Sequence, residues 1–198
     1  MDEKYVQELL SGQVPGVSTT EERIDLFVRM AYKYIGYPHI EENLLYRLED
    51  LGFFDMPAST KYHGAYTGGL FDHSVQVARE LINLTKKLDL HWDRPMSPFI
   101  VGMLHDICKC DNYQYNENED KWEYRKDILI PGHGEKSVIM AQDILNLTQE
   151  EIHCIRWHMG AYETDTKMWD YYGRAIEKYP NVLWTHTADM VASKIVGV

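Results

Sequence analysis

The chain has 198 residues, 44% hydrophobic and 26% charged, with 20 basic against 31 acidic side chains and a net charge of −11. That length fills one core and is short for two, and no stretch approaches the ~20 apolar residues that span a bilayer. An acidic balance of this size weighs against a duplex-binding surface, whose affinity comes from neutralised phosphates.

The N-terminal MDEKYVQELL carries neither the basic region nor the apolar run of a secretion signal. The chain therefore reads as one cytoplasmic domain over residues 1–198, with residues 1–18 a loosely attached segment holding a short helix. Cys108, Cys110 and Cys154 are an odd set, and Cys108-x-Cys110 is too tight for a C-x-x-C zinc pair. A disulfide framework is not expected; all three read as buried or semi-buried thiols, with Cys108 a candidate to touch an active site.

Helix signals dominate in chain order. Thr19-x-x-Glu22 is a capping box, and Ile24, Phe27, Val28, Ala31, Tyr32 and Ile35 follow at the spacing of one helical face. Gly36 and Pro38 end that helix. Ile40 to Leu51 repeats the pattern through Leu44, Leu45 and Leu48, with Gly52 as C-terminal cap. Gly68-Gly69 precedes a long helix from about Leu70 to Leu88, and Pro95 and Pro98 introduce another from Phe99 to about Cys108. Asn112 to Arg125 holds YQY and WEY around the turn-rich Asn116–Asp120, which predicts a β-hairpin. Helices resume near His133. Thr148-x-x-Glu151 caps a helix carrying His158 near its end, and a last helix from about Asn181 contains Asp189. The fold class expected is all-α with a small hairpin appended.

Five segments carry candidate chemistry: GGLFDHSVQVA with His73, MLHDICK with His105-Asp106, PGHGEKS with His133, IRWHMGAY with His158 and THTADMVASK with Asp189. A lone histidine on an apolar face is more often a hydrogen-bonded core residue than a ligand, and His73 by itself would be one. His105-Asp106 follows the apolar run Phe99–Leu104, so at least one ionisable side chain must point inward. A buried carboxylate costs several kcal/mol unless it is paired or bound to a cation. Asp189 poses the same problem among Ala188, Met190, Val191 and Ala192. His186 lies three residues before it on the same face, the position of a hydrogen-bonding partner to Asp189. Imidazole and carboxylate together are the donors that hold a hydrolytic divalent metal.

The order His…His-Asp…Asp resembles the HD phosphohydrolase superfamily, from about His63 to Lys194. HGAYTGGLFDHSVQVA, GHGEKS and HTADMVASK are most similar to the HD domain of bacterial OB-fold/HD 3′–5′ exoribonucleases, and the OB domain has no counterpart among the helical residues before His63. The resemblance implies an HD-domain helical bundle binding one or two divalent ions (Mn, Fe, Ni, Zn or Mg). It implies His73, His105, Asp106 and Asp189 as ligands of the first metal, and His133 and His158 as ligands of the second, with Asp106 bridging. Catalysis would rest on Asp106 and Lys109, and substrate contacts on His63 and Lys109. Cys108 stands where the family motif H-D-x-G-K has glycine.

The leading expectation is a phosphohydrolase acting on a small phosphate-containing substrate, a nucleotide or short oligonucleotide. A 3′–5′ exonuclease or phosphodiesterase on RNA or DNA is the second, and a nucleotide-binding regulatory module with little turnover the third. The aromatic residues Tyr113, Tyr115, Trp122 and Tyr124 are expected to pack the hairpin rather than read a base. Replacing Asp106 in metal-free protein is expected to relieve a buried charge.

Overall fold

The computed structural model describes residues 19–36, 38–160 and 166–198; the short helix expected before Ser18 lies outside them. Helix α1 (Thr20–Tyr34) starts as its capping box predicts: the Glu22 amide donates to Thr19 Oγ1 and the Thr19 amide to the Glu22 carboxylate, both at 3.2 Å. Its Leu26, Phe27, Met30 and Ala31 form one buried face. Helix α2 (Pro38–Asp50) contributes Leu44 and Leu48 to the core. Gly52, at φ 70°, closes α2 by sending the Phe53 amide to Leu48 O (3.0 Å) and its own to Glu49 O (2.9 Å), the paired closure that a left-handed residue permits. The chain then drops Phe53 and Phe54 onto Phe27 and Phe71, with ring centroids 5.3–6.2 Å apart. Such offset and edge contacts add to plain area burial.

Helix α3 (Gly69–Leu88) is the centre of the molecule, buried almost all round from Gly69 to Ile82. Its start is held by Arg23, whose guanidinium bonds Asp72 at 3.1 and 3.2 Å. Gly68 leaves room for that guanidinium, which a Cβ there would strike. Helix α4 (Ser97–Leu104), buried along its whole length, lies directly on α3. Gly102 is the point of closest approach, since a Cβ there would come within 2.5 Å of the Ala78 backbone nitrogen. We expect Gly102→Ala to cost about 1–3 kcal/mol through overpacking and to lower the thermal midpoint by roughly 2–4 °C per kcal/mol. Circular dichroism checks this, and an unchanged midpoint would refute the close packing.

The sequence pattern extends the next helix to Cys108, but α4 stops at Leu104. From there the amides of Ile107, Lys109 and Cys110 bond three residues back, at 3.0–3.2 Å. Successive side chains diverge by about 100° on an α-helix and about 120° on a tighter turn, and both members of His105-Asp106 are nevertheless buried because residues 97–109 are enclosed on every side. A short helix α5 (Lys109–Asn112) leads into strands β1 (Tyr113–Asn116) and β2 (Lys121–Tyr124), which pair antiparallel with Tyr113 opposite Tyr124 and Tyr115 opposite Trp122. This is the hairpin expected from YQY and WEY.

Helices α6 (His133–Gln142), α7 (Gln149–Arg156), α8 (Thr166–Lys178) and α9 (Asn181–Met190) follow, the last running into a π-helical stretch, Val191–Val196. The Thr148 capping box on α7 forms as predicted, and its Glu151 carboxylate also accepts from Arg94 and from the Ser97 hydroxyl (2.7 Å), tying α7 to α4. Helix α8 was not anticipated, although Met168, Tyr172, Ala175 and Ile176 sit on the core at helical spacing. No helix among the described residues is long and apolar enough to cross a membrane.

Candidate metal centre

Five separate segments bring the predicted ligands together. His73 comes from the start of α3, His105-Asp106 from the turn after α4, His158 from the turn after α7 and Asp189 from α9, with His133 entering from the first residue of α6. His158 therefore lies just beyond its helix, not within it. His73, His105 and His158 are 0% exposed, Asp106 2% and Asp189 8%.

Each fully buried imidazole is oriented by a backbone carbonyl. His73 Nδ1 donates to Val198 O (2.9 Å), His105 Nδ1 to Gly102 O (2.8 Å) and His158 Nδ1 to Ile155 O (2.7 Å). A carbonyl only accepts, so Nδ1 carries the proton and the Nε2 lone pair of each ring faces the cluster, as in metal sites with well-made outer shells. His73 Nε2 lies 3.2 Å from His105 Nε2 and 3.2 Å from Asp189 Oδ1. Donors sharing an ion at about 2.0–2.2 Å are themselves roughly 3–3.6 Å apart, which matches.

Asp106 divides its two oxygens. Oδ2 faces His73 (3.5 Å) and His105 (3.4 Å), while Oδ1 faces His133 (2.5 Å) and His158 (3.3 Å). His158 Nε2 is buried without a hydrogen-bond partner, a costly condition that a cation at this point removes. The groups His73–His105–Asp106, His105–His158–Asp189 and Asp106–His133–His158 each bring their donor atoms within 4.8 Å of one another. Donor chemistry, spacing and the unpartnered nitrogen all fit a divalent ion, and these buried His/Asp groups are placed to hold one.

The electrostatics of the cluster are those of crowded opposite charges. Burial opposes ionisation of Asp106, yet Lys109, His105 and His133 outweigh it and hold the carboxyl well below the usual carboxylate range. Asp189 is likewise buried and likewise lowered, by His73, His105 and His158. Burial alone would lower the pKa of His133, but the Asp106 carboxylate and then Cys108 push it up to about 10. His63, half-buried with its ring 5.0 Å from that of His73, is lowered to about 4 by burial and by the charges of His73 and Lys109. It stands at the edge of the cluster, where a substrate-facing histidine was expected.

Lys109 is placed differently from the expectation. Lys109 is 5% exposed and its ammonium bonds Asp106 Oδ2, so it neutralises that carboxylate rather than standing open to a phosphate. The spacing already contained this, since Asp106 and Lys109 are three apart on a helical turn. His186 also departs from its expected role. Its Nδ1 donates to the carbonyl of His158 at 2.8 Å, not to Asp189, and so braces the turn that carries His158. Cys108 does touch the site, with Sγ 3.4 Å from His133 Nδ1. Its φ of −57° is ordinary helical backbone, so no glycine is required at that position and the thiol fits without strain.

Two residues of the GHGEKS segment have unassigned roles that become visible only here. Ser137 Oγ accepts from the Cys108 amide (3.3 Å), and buried Lys136 bonds Asn112 Oδ1 (2.6 Å) and Asp111 (2.5 Å). Together they fix the turn following Asp106. The hairpin rings pair with one another, Tyr113 with Tyr124 at 4.8 Å and Tyr115 with Trp122 at 5.2 Å, which is cross-strand packing. Comparison of the chain with protein-family models, curated proteins and solved structures returns no match.

Proposed function

We propose that this chain is an HD-type, metal-dependent phosphohydrolase with a dinuclear centre. The observation that carries the reading is the division of Asp106, with one oxygen toward the His73/His105 pair and the other toward His133/His158. That is the disposition of a bridging carboxylate. His73, His105, Asp106 and Asp189 would hold one ion, and Asp106, His133 and His158 the other. Bound divalent metals supply acidified water and positive charge against phosphoryl oxygens. The chain's own part is to fix Nε2 of each imidazole through its backbone acceptor, to exclude bulk water by burial, and to keep Asp106 ionised. Lys109 holds the bridging carboxylate in the metal-free chain, and a cation must compete with it there.

With a net charge of −11, the protein repels long polyanions, which favours a nucleotide or short oligonucleotide over extended nucleic acid. The test is elemental analysis of the purified full chain, followed by hydrolysis of bis(4-nitrophenyl) phosphate and a nucleotide panel with added Mn²⁺. We expect bound divalent metal and turnover that chelation removes and Mn²⁺ restores. Protein that binds metal yet hydrolyses no phosphate ester would leave the regulatory module as the better reading.

A further inference from the structure

A cavity of about 350 Å³ lies between the N-terminal end of α6 and the turn after α7, with His133, Glu135, Arg156, Met159 and Met168 on its wall. It adjoins the most open edge of the His/Asp centre. The His133 side chain is 30% exposed, against 11% for Asp189 and 3% or less for the other four. Inside the cavity Arg156 is ion-paired with Glu135.

We propose that this cavity receives the non-reacting, anionic part of a nucleotide substrate, and that Arg156 exchanges Glu135 for that anion. The inference rests on the phosphohydrolase reading of the neighbouring centre. The two halves of the ion pair are held very differently. Arg156 is 19% exposed, with its guanidinium carbon 4.1 Å from the Trp157 ring centroid, whereas Glu135 is 45% exposed. The guanidinium is therefore preorganised, and the carboxylate can swing into water. A pair this open contributes at most about 1 kcal/mol, so its exchange costs little.

A phosphoryl group accepts the two parallel N–H donors of a guanidinium as a carboxylate does. Glu135 thus stands, in the resting protein, where the substrate anion goes. The thioethers of Met159 and Met168 supply an apolar, polarizable wall suited to a planar ring. The substrate class indicated is a nucleotide bearing at least one phosphoryl group beyond the one at the metals. A nucleoside monophosphate would leave Arg156 on Glu135.

The experiment is calorimetric titration of the full chain, loaded with and held in excess Mn²⁺. The ligands are adenosine monophosphate and the non-hydrolysable α,β-methylene diphosphate of adenosine. The diphosphate should bind at least about tenfold more tightly, the effect of one charge-assisted bidentate contact. Arg156→Gln should abolish that preference and Arg156→Lys restore it in part. Glu135→Gln should strengthen diphosphate binding, because it removes the competing anion. A merely structural ion pair moves neither value in these directions. Equal affinities in the parent, or weaker diphosphate binding in Glu135→Gln, overturn the cavity assignment alone. Metal-loaded protein that binds neither ligand overturns the phosphohydrolase reading with it.

Discussion

Asp106→Ala should abolish divalent metal uptake and hydrolysis, and it should destabilise the metal-free protein as well. The second effect reverses what the sequence suggests, in which deleting an inward-facing carboxylate relieves a buried charge. The carboxylate is not alone: Lys109 and His133 both bond it, and Lys109 is 5% exposed. Its removal strands a buried ammonium, and breaking one side of such a pair costs about 3–5 kcal/mol. For a chain of this length that is a fall in thermal midpoint on the order of 10 °C.

The sign of the pH dependence follows from the lowered Asp106 carboxyl. A depressed pKa contributes stability above the unfolded value, near ~3.9, and loses it as pH falls through the folded value. The gap between parent and variant should therefore be full at neutral pH and shrink in acid below about pH 4. Adding Lys109→Met to Asp106→Ala should recover much of the loss, since it replaces a stranded charge with an apolar chain of similar length. Thermal unfolding in chelator across pH 3–8 reads all of this. A metal-free Asp106→Ala protein as stable as its parent would show that the Lys109 pair contributes nothing.

On the dinuclear reading, His133→Ala and His158→Ala should each lower the metal content from two ions to one, while His73→Ala should remove the ion on the opposite side of Asp106. Their hydrolytic rates should fall by more than about 100-fold, beyond what loss of an outer-shell partner costs. Folding should survive in the His158 variant, because the imidazole it removes carries a buried nitrogen without a partner. Metal protection supplies an independent reading. A ligand at 100 times its Kd stabilises by about 2.7 kcal/mol per site, so the rise in thermal midpoint on adding Mn²⁺ should roughly halve in either variant. Retention of two ions by His133→Ala or His158→Ala would reduce the centre to a mononuclear one.

The local code of this chain was legible without coordinates because it is written in short-range chemistry. The capping boxes at Thr19 and Thr148, the left-handed closure at Gly52 and the turn between YQY and WEY each involve residues within a few positions of one another. Their hydrogen bonds form wherever the chain goes. His105-Asp106 and Asp189 were legible for a different reason, since inward-facing ionisable residues have few uses in an apolar setting, whereas His73, His133 and His158 were singled out through the resemblance to the HD superfamily. Helix α8 was missed although its apolar spacing was present.

What the sequence could not supply was direction. Whether both members of His105-Asp106 are buried depends on the elements that enclose residues 97–109 on every side, and not on the spacing of the pair. Lys109 bonds Asp106 instead of facing outward because low dielectric around a buried carboxylate rewards the nearest cation. His186 bonds the His158 carbonyl, 28 positions away, because α9 crosses the turn after α7. Periodicity decides which residues share a face. Only the tertiary structure decides which charge each face meets, because burial strengthens every unscreened interaction and that burial is created by elements distant in sequence.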